Sequence, residues 1–226
     1  AGSTVGRLSG RSALRYPGDK LSKAASVLTA SDQDGLYRRL VSLWKEPAEL
    51  TGTVEPRSRF DDESVRALVP DFFARMMFLD QVTYLPDDIL VKVDRASMAV
   101  SLEVRAPLLD HRVAEFAWSL PMGMKRRHGL GKWLLRQVLY RHVPPAMVDR
   151  PKMGFAVPIR EWLRGELRDW AESLLAPERL AREGWLAPGP VAALWRDHLG
   201  GQRHEHYRLW AVLTFQSWLA ASRDSG

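Results

Sequence analysis

The chain has 226 residues, 46% hydrophobic and 27% charged, a balance that supports a folded core and excludes a disordered polypeptide. It contains no cysteine, which excludes disulfides, a thiolate nucleophile and thiolate metal sites, and fits a reducing, cytoplasmic setting. The net charge is +6 and the pI about 9.8, but the arginines are spread along the chain, so solvated helix faces explain the excess and a nucleic-acid partner is not expected.

Residues 1–19 are rich in Gly, Ser and Arg and read as a loose N-terminal segment. They carry no signal-peptide apolar region, and nowhere does an apolar run approach the ~20 residues of a membrane span. The chain opens on Ala1 and has its first methionine at Met76, so we expect a piece of a longer polypeptide. Lys20–Ala30 predicts a short helix. Ser31 and Asp34 have the spacing of a capping box, ahead of Leu36, Leu40, Leu43 and Trp44 at helical intervals. Pro47 predicts the end of that helix, and residues 47–60 read as a loop. Asp61 and Asp62 cap a short helix through Leu68. Phe72 to Tyr84 then predicts an apolar helix buried on more than one side.

Pro86, with Asp87 and Asp88 in the first turn, starts a helix that runs to about Val100. Asp110 reads as the N-cap of a helix from His111 to Leu120. Further helices are expected from Lys132 to His142, from Pro158, from Pro190, and from Tyr207 to Ala221. Period-2 alternation is scarce. The fold class is therefore all-α, about ten helices in a single domain over residues 20–221, with a frayed tail at 222–226.

Three stretches stand out chemically. In Tyr84–Asp110 (YLPDDILVKVDRASMAVSLEVRAPLLD), Asp88 and Lys92 are four apart and can pair on one helix face, and Asp94 and Arg95 follow. Glu103, Arg105 and Asp110 sit among Leu102, Val104, Ala106, Pro107, Leu108 and Leu109. Charges buried in such a setting need partners, so these three are expected to join a paired network. Spacing leaves structural and catalytic roles open for it, and the structural role is preferred. In KRRHGLGK, Gly129, Gly131 and Lys132 at a helix start have the form of an anion cradle, without the Walker spacing. A solvated turn is the alternative. In RPKMGFAVP, Lys152 stands between Pro151 and Pro158, where a restrained point charge suits a phosphate or oxyanion. An ordinary exposed lysine fits the composition as well. His204 and His206 lack supporting ligands, so no metal site is expected.

The motifs TYLPDDILVKVDRASMAVSLEVRAPLLDHR, GKWLLR and RPKMGFAVPI, in this order, resemble the C-terminal part of glutamine-dependent asparagine synthetases, most strongly from Asp80 to Trp170. The resemblance implies an enzyme in which an N-terminal glutaminase domain with a cysteine nucleophile releases ammonia. A synthetase domain then uses ATP and Mg²⁺ to adenylate aspartate, and ammonia gives asparagine. It implies the helical half of an adenine-nucleotide alpha-hydrolase-like domain. The Ser-Gly-Gly-x-Asp-Ser loop and the acidic metal motif of that family are absent here, as is the glutaminase cysteine. The expected partners are thus the glutaminase and ATP-binding portions of one polypeptide, with aspartate, ATP and glutamine or ammonia as substrates. A homo-oligomer is a further expectation. By resemblance, Lys152 is the catalytic lysine on the acyl-adenylate and pyrophosphate, and Lys132 is a second phosphate-side lysine. Asp94, Arg95, Glu103, Arg105 and Asp110 form the scaffold of that wall. A related amidotransferase with a lactam or sugar acceptor, or a basic helical nucleic-acid-binding or structural module, are the alternatives.

Overall fold

A computed structural model describes residues 30–150, 157–201 and 205–224. The expected helix over Lys20–Ala30 lies outside them. The regular secondary structure of the described residues is helical apart from one hairpin of two-residue strands, as the all-α expectation requires. The helices are shorter and more numerous than the ten expected, several spanning only four to six residues. The chain forms two compact units: residues up to Val82 together with those from Val157 onward, and Thr83–Ala156.

The first unit opens with α1 (Gln33–Val41). The expected Ser31–Asp34 box is corrected: Asp32 is the N-cap and accepts from the Gly35 amide at 2.7 Å. Asp34 instead binds two arginines, with Arg75 Nε at 2.8 Å and Arg66 Nε at 2.8 Å. Burial alone would raise its carboxyl, but the bonds from Arg75 and Arg66 outweigh that and hold it below the usual range. Pro47 does not merely end a helix. It begins α2 (Pro47–Thr51), because a first-turn proline gives up only an amide that is orphaned anyway. Asp62 caps α3 (Glu63–Leu68) as expected, accepting from the Ser64 amide at 3.0 Å.

Helix α4 (Phe72–Val82) buries Arg75 and Leu79 but leaves Phe73 and Met77 exposed, so its burial is narrower than its composition implies. Tyr37, Val65 and Leu79 form a small core beneath Phe60, Phe72 and Met76. The larger core joins Leu50 to Leu163, Leu180, Val191, Leu209 and Leu213. It is built by four C-terminal helices, Ile159–Arg164, Arg168–Leu175, Pro177–Glu183 and Pro188–Leu199, with the final helix His206–Asp224. Each fully buried leucine contributes about 2–3 kcal/mol of transfer free energy.

The second unit has a different character. It contains a π-helical turn (Leu85–Leu90), α5 (Val91–Met98), α6 (His111–Ser119), α7 (Met122–Lys125), strands β1 (Arg126–Arg127) and β2 (Leu130–Gly131), α8 (Trp133–Leu139) and α9 (Pro145–Val148). None of its described residues is buried. The π turn begins where Pro86 removes a backbone donor, which is where a widened helical turn relieves the missing bond.

Candidate functional site

Lys132 stands between a hairpin and a helix. β1 and β2 pair antiparallel, Arg126 opposite Gly131 and Arg127 opposite Leu130. The two connecting residues, His128 and Gly129, have φ of 50° and 77°, the left-handed pair of a type I′ turn. The expected cradle at a helix start is corrected accordingly. Leu130 and Gly131 are committed to strand pairing, and α8 has only seven residues. Lys132 takes φ 58° and ψ 34°, a left-handed conformation that turns the chain from strand into helix. Its side chain is exposed and makes no ion pair with any described residue. Two neighbouring cations lie on aromatic faces: the Arg127 guanidinium is 5.0 Å from the Trp133 ring and Lys125 Nζ is 5.1 Å from Trp118.

Arg136, one turn into α8, reaches three groups. Its Nε donates to the Gly131 carbonyl at 3.2 Å, and Nη1 donates to the Tyr140 hydroxyl at 3.2 Å and pairs with the Asp149 carboxylate. Tyr140 in turn donates to Asp149 Oδ2 at 2.6 Å. The bond to Tyr140 and the nearby Asp149 charge push the guanidinium pKa further up. Arg136 closes the GKWLLR motif, but its grouping with Tyr140 and Asp149 was not expected from that motif. The available signal was the i,i+4 spacing of Arg136 and Tyr140 on one helix face. Lys152, three residues beyond Asp149, lies outside the described residues.

The Tyr84–Asp110 stretch meets its expectations unevenly. Asp88 and Lys92 pair on one face, as their spacing predicts. Asp94 and Arg95 are exposed on α5, where Ser97 Oγ donates to the Asp94 carbonyl at 3.1 Å. The buried network of Glu103, Arg105 and Asp110 is corrected. Glu103 and Arg105 pair with each other at 2.8 Å, but their side chains are 68% and 84% exposed. Asp110 joins a different pair. It caps α6 by accepting from the Arg112 amide at 2.9 Å, and the Arg112 guanidinium holds its carboxyl below the usual range. The apolar neighbours did not bury these charges because Leu102, Val104 and Leu108 are themselves half or more exposed. Ser101, just before them, also holds a left-handed φ of 58°. It ends α5 with the Leu102 amide donating to Ser97 O and the Ser101 amide to Met98 O, a Schellman closure.

Among the described residues no group of three His, Asp or Glu side chains could hold a metal ion, and no helix is long and apolar enough to cross a membrane. His206 begins the last helix, and His204 lies outside the described residues.

The asparagine synthase family model matches residues 6–220. A protein of Mycobacterium bovis, assigned by its name to the glutamine-hydrolyzing asparagine synthetases, is 42% identical over 154 residues, covering 66% of this chain and 23% of that protein. Asparagine synthetase 1 (glutamine-hydrolyzing) of Bacillus subtilis is 34% identical over 144 residues, 64% of this chain and 22% of that enzyme. The carboxyethyl-arginine beta-lactam-synthase of Streptomyces clavuligerus is 44% identical over 48 residues, 21% of this chain and 9% of that protein. The chain thus spans about a quarter of the length of the first two relatives. No solved structure matches.

Proposed function

We propose, from the chain's membership of the asparagine synthase family, that it is the helical C-terminal part of an ATP-dependent, glutamine-hydrolysing asparagine synthetase of the cytoplasm. In this reading it forms one wall of the site where aspartate is adenylated and then amidated by ammonia. The observation that carries the reading is the family match along residues 6–220.

Lys152 is the catalytic cation, set against the acyl-adenylate and the leaving pyrophosphate. Lys132 adds a second positive charge on the phosphate side, and its ammonium has no competing carboxylate among the described residues. Charge that develops on phosphate oxygens during adenylation is stabilised by such fixed cations. Asp94, Arg95, Glu103, Arg105 and Asp110 shape the same wall. Among the described residues no three carboxylate or imidazole side chains converge on a cation, and in this reading the metal and most of the ATP contacts belong to the ATP-binding portion of the same polypeptide. The exposed apolar side chains of the second unit, Leu102, Val104, Leu108 and Phe116 among them, support a covering portion of this kind.

The test is AMP release from ATP with aspartate and ammonium. The intact polypeptide is expected to release AMP in an aspartate-dependent manner, and residues 1–226 alone are expected to release none. Synthesis of asparagine by the isolated chain would overturn the division of labour proposed here. A second reading, lactam formation on another carboxylate, draws on the likeness to the beta-lactam-synthase over 48 residues. Aspartate-independent AMP release with a carboxyethyl amino acid would favour it.

A further inference from the structure

The second unit contains a strained lysine and the device that holds it. Lys132 has φ 58°, a conformation that costs a side-chain-bearing residue free energy and persists only where neighbours fix it. The peptide that enters Lys132 is the one whose carbonyl belongs to Gly131. That carbonyl accepts from Arg136 Nε at 3.2 Å. Within α8 the Arg136 amide also donates to the Lys132 carbonyl at 2.9 Å. Arg136 therefore grips the peptides on both sides of the Lys132 α-carbon. Its own side chain is only 31% exposed and is fixed at the far end by Asp149 and by the Tyr140 hydroxyl, which Asp149 also holds. A planar guanidinium with a fixed fork suits this three-way contact, and a lysine does not.

We propose that Arg136, locked by Tyr140 and Asp149, is a positioning residue. It holds Lys132 in its left-handed conformation and so aims the Lys132 ammonium at the phosphate groups of the nucleotide. This rests on the adenylating reading of the site. Arg136 itself touches no substrate. Its effect travels through the Gly131 carbonyl and the backbone of Lys132.

The experiment uses the intact polypeptide and measures steady-state AMP release. Arg136→Gln is expected to lower kcat by roughly ten- to a hundredfold, the size of effect that misplacing a catalytic group produces. KM for ATP and for aspartate should stay within about twofold, since the ground-state contacts are elsewhere. A merely structural arginine would give the same fractional loss whatever stands at position 132. In a Lys132→Ala background, Arg136→Gln is therefore expected to cause less than about a twofold further loss, because the group it positions is gone. If Arg136→Gln does not fold, Tyr140→Phe serves, with an expected loss of about three- to tenfold in kcat that likewise vanishes without Lys132. An active wild type whose Arg136→Gln variant keeps its kcat, or loses it equally with and without Lys132, overturns the inference alone. An intact wild type that releases no AMP overturns the adenylating reading and the inference with it.

Discussion

His198 is fully buried, with its ring 5.8 Å from that of Trp195 and nearly parallel to it. Burial, helped by the positive Arg164 and by His206, pushes its pKa down to about 4. The folded chain thus holds a neutral imidazole, whereas the unfolded chain takes up a proton near pH 6.5. Stability from this group is complete above pH 6.5, falls as the pH drops, and is gone below about pH 4. The total is about 3 kcal/mol. Urea melts across that range should show the loss in the wild type and a flatter profile in His198→Phe; an equally steep profile in the variant would assign the acid sensitivity elsewhere. The sequence around His198 offers no sign of this, because an isolated histidine in a helix reads alike whether it faces solvent or core. The aspartates at the start of α1 illustrate a related ambiguity. Ser31 and Asp34 have the spacing of a capping box, yet Asp32 takes the cap, and Asp34 is held instead by Arg66 and Arg75, more than thirty residues away.

Elements whose cues are local were readable from the sequence. Asp62 and Asp110 cap the helices that their positions announce, and Asp88 pairs with Lys92. Elements that depend on a special backbone were not. His128-Gly129 closes a type I′ hairpin, a turn usually advertised by Asn-Gly or Asp-Gly, and two-residue strands are too short to display alternation. Gly129, at φ 77°, is the position where a β-branched side chain is least tolerated. Gly129→Val is expected to destabilise the hairpin by about 1–2 kcal/mol. Faster exchange of the Arg126–Gly131 amides should report it, and unchanged protection would mean that the turn does not depend on this glycine. The same short ribbon redefines the phosphate-side lysine. What reads as a glycine-rich helix start is a strand end that presents Lys132 beside Arg127 stacked on Trp133. Pro86 is a third case: it marks a helix start in sequence, yet here it lies in a π turn.

Across the whole molecule, every described buried residue belongs to the unit made from the two ends of the chain, and none to Thr83–Ala156. Hydrogen exchange should follow that division: the slowest amides are expected in the helix His206–Asp224 around Leu209 and Leu213, and residues 83–150 should exchange earlier. Equal protection in both would contradict it. The terminal unit also has an awkward schedule. Leu50 packs in the core with Leu163, Leu209 and Leu213, the Ala187 amide donates to its carbonyl at 2.7 Å, and Arg208 donates to the Leu43 carbonyl at 3.1 Å. On the ribosome Leu50 is made roughly 160 residues before Leu213, an interval of about 8–30 s at ordinary elongation rates. Throughout that interval Leu50 and Trp44 have no core to enter. Helices α1, α3 and α4 can close their own small core of Tyr37, Val65 and Leu79 early, but the apolar side of α2 stays open to chaperones until the C-terminal helices are made.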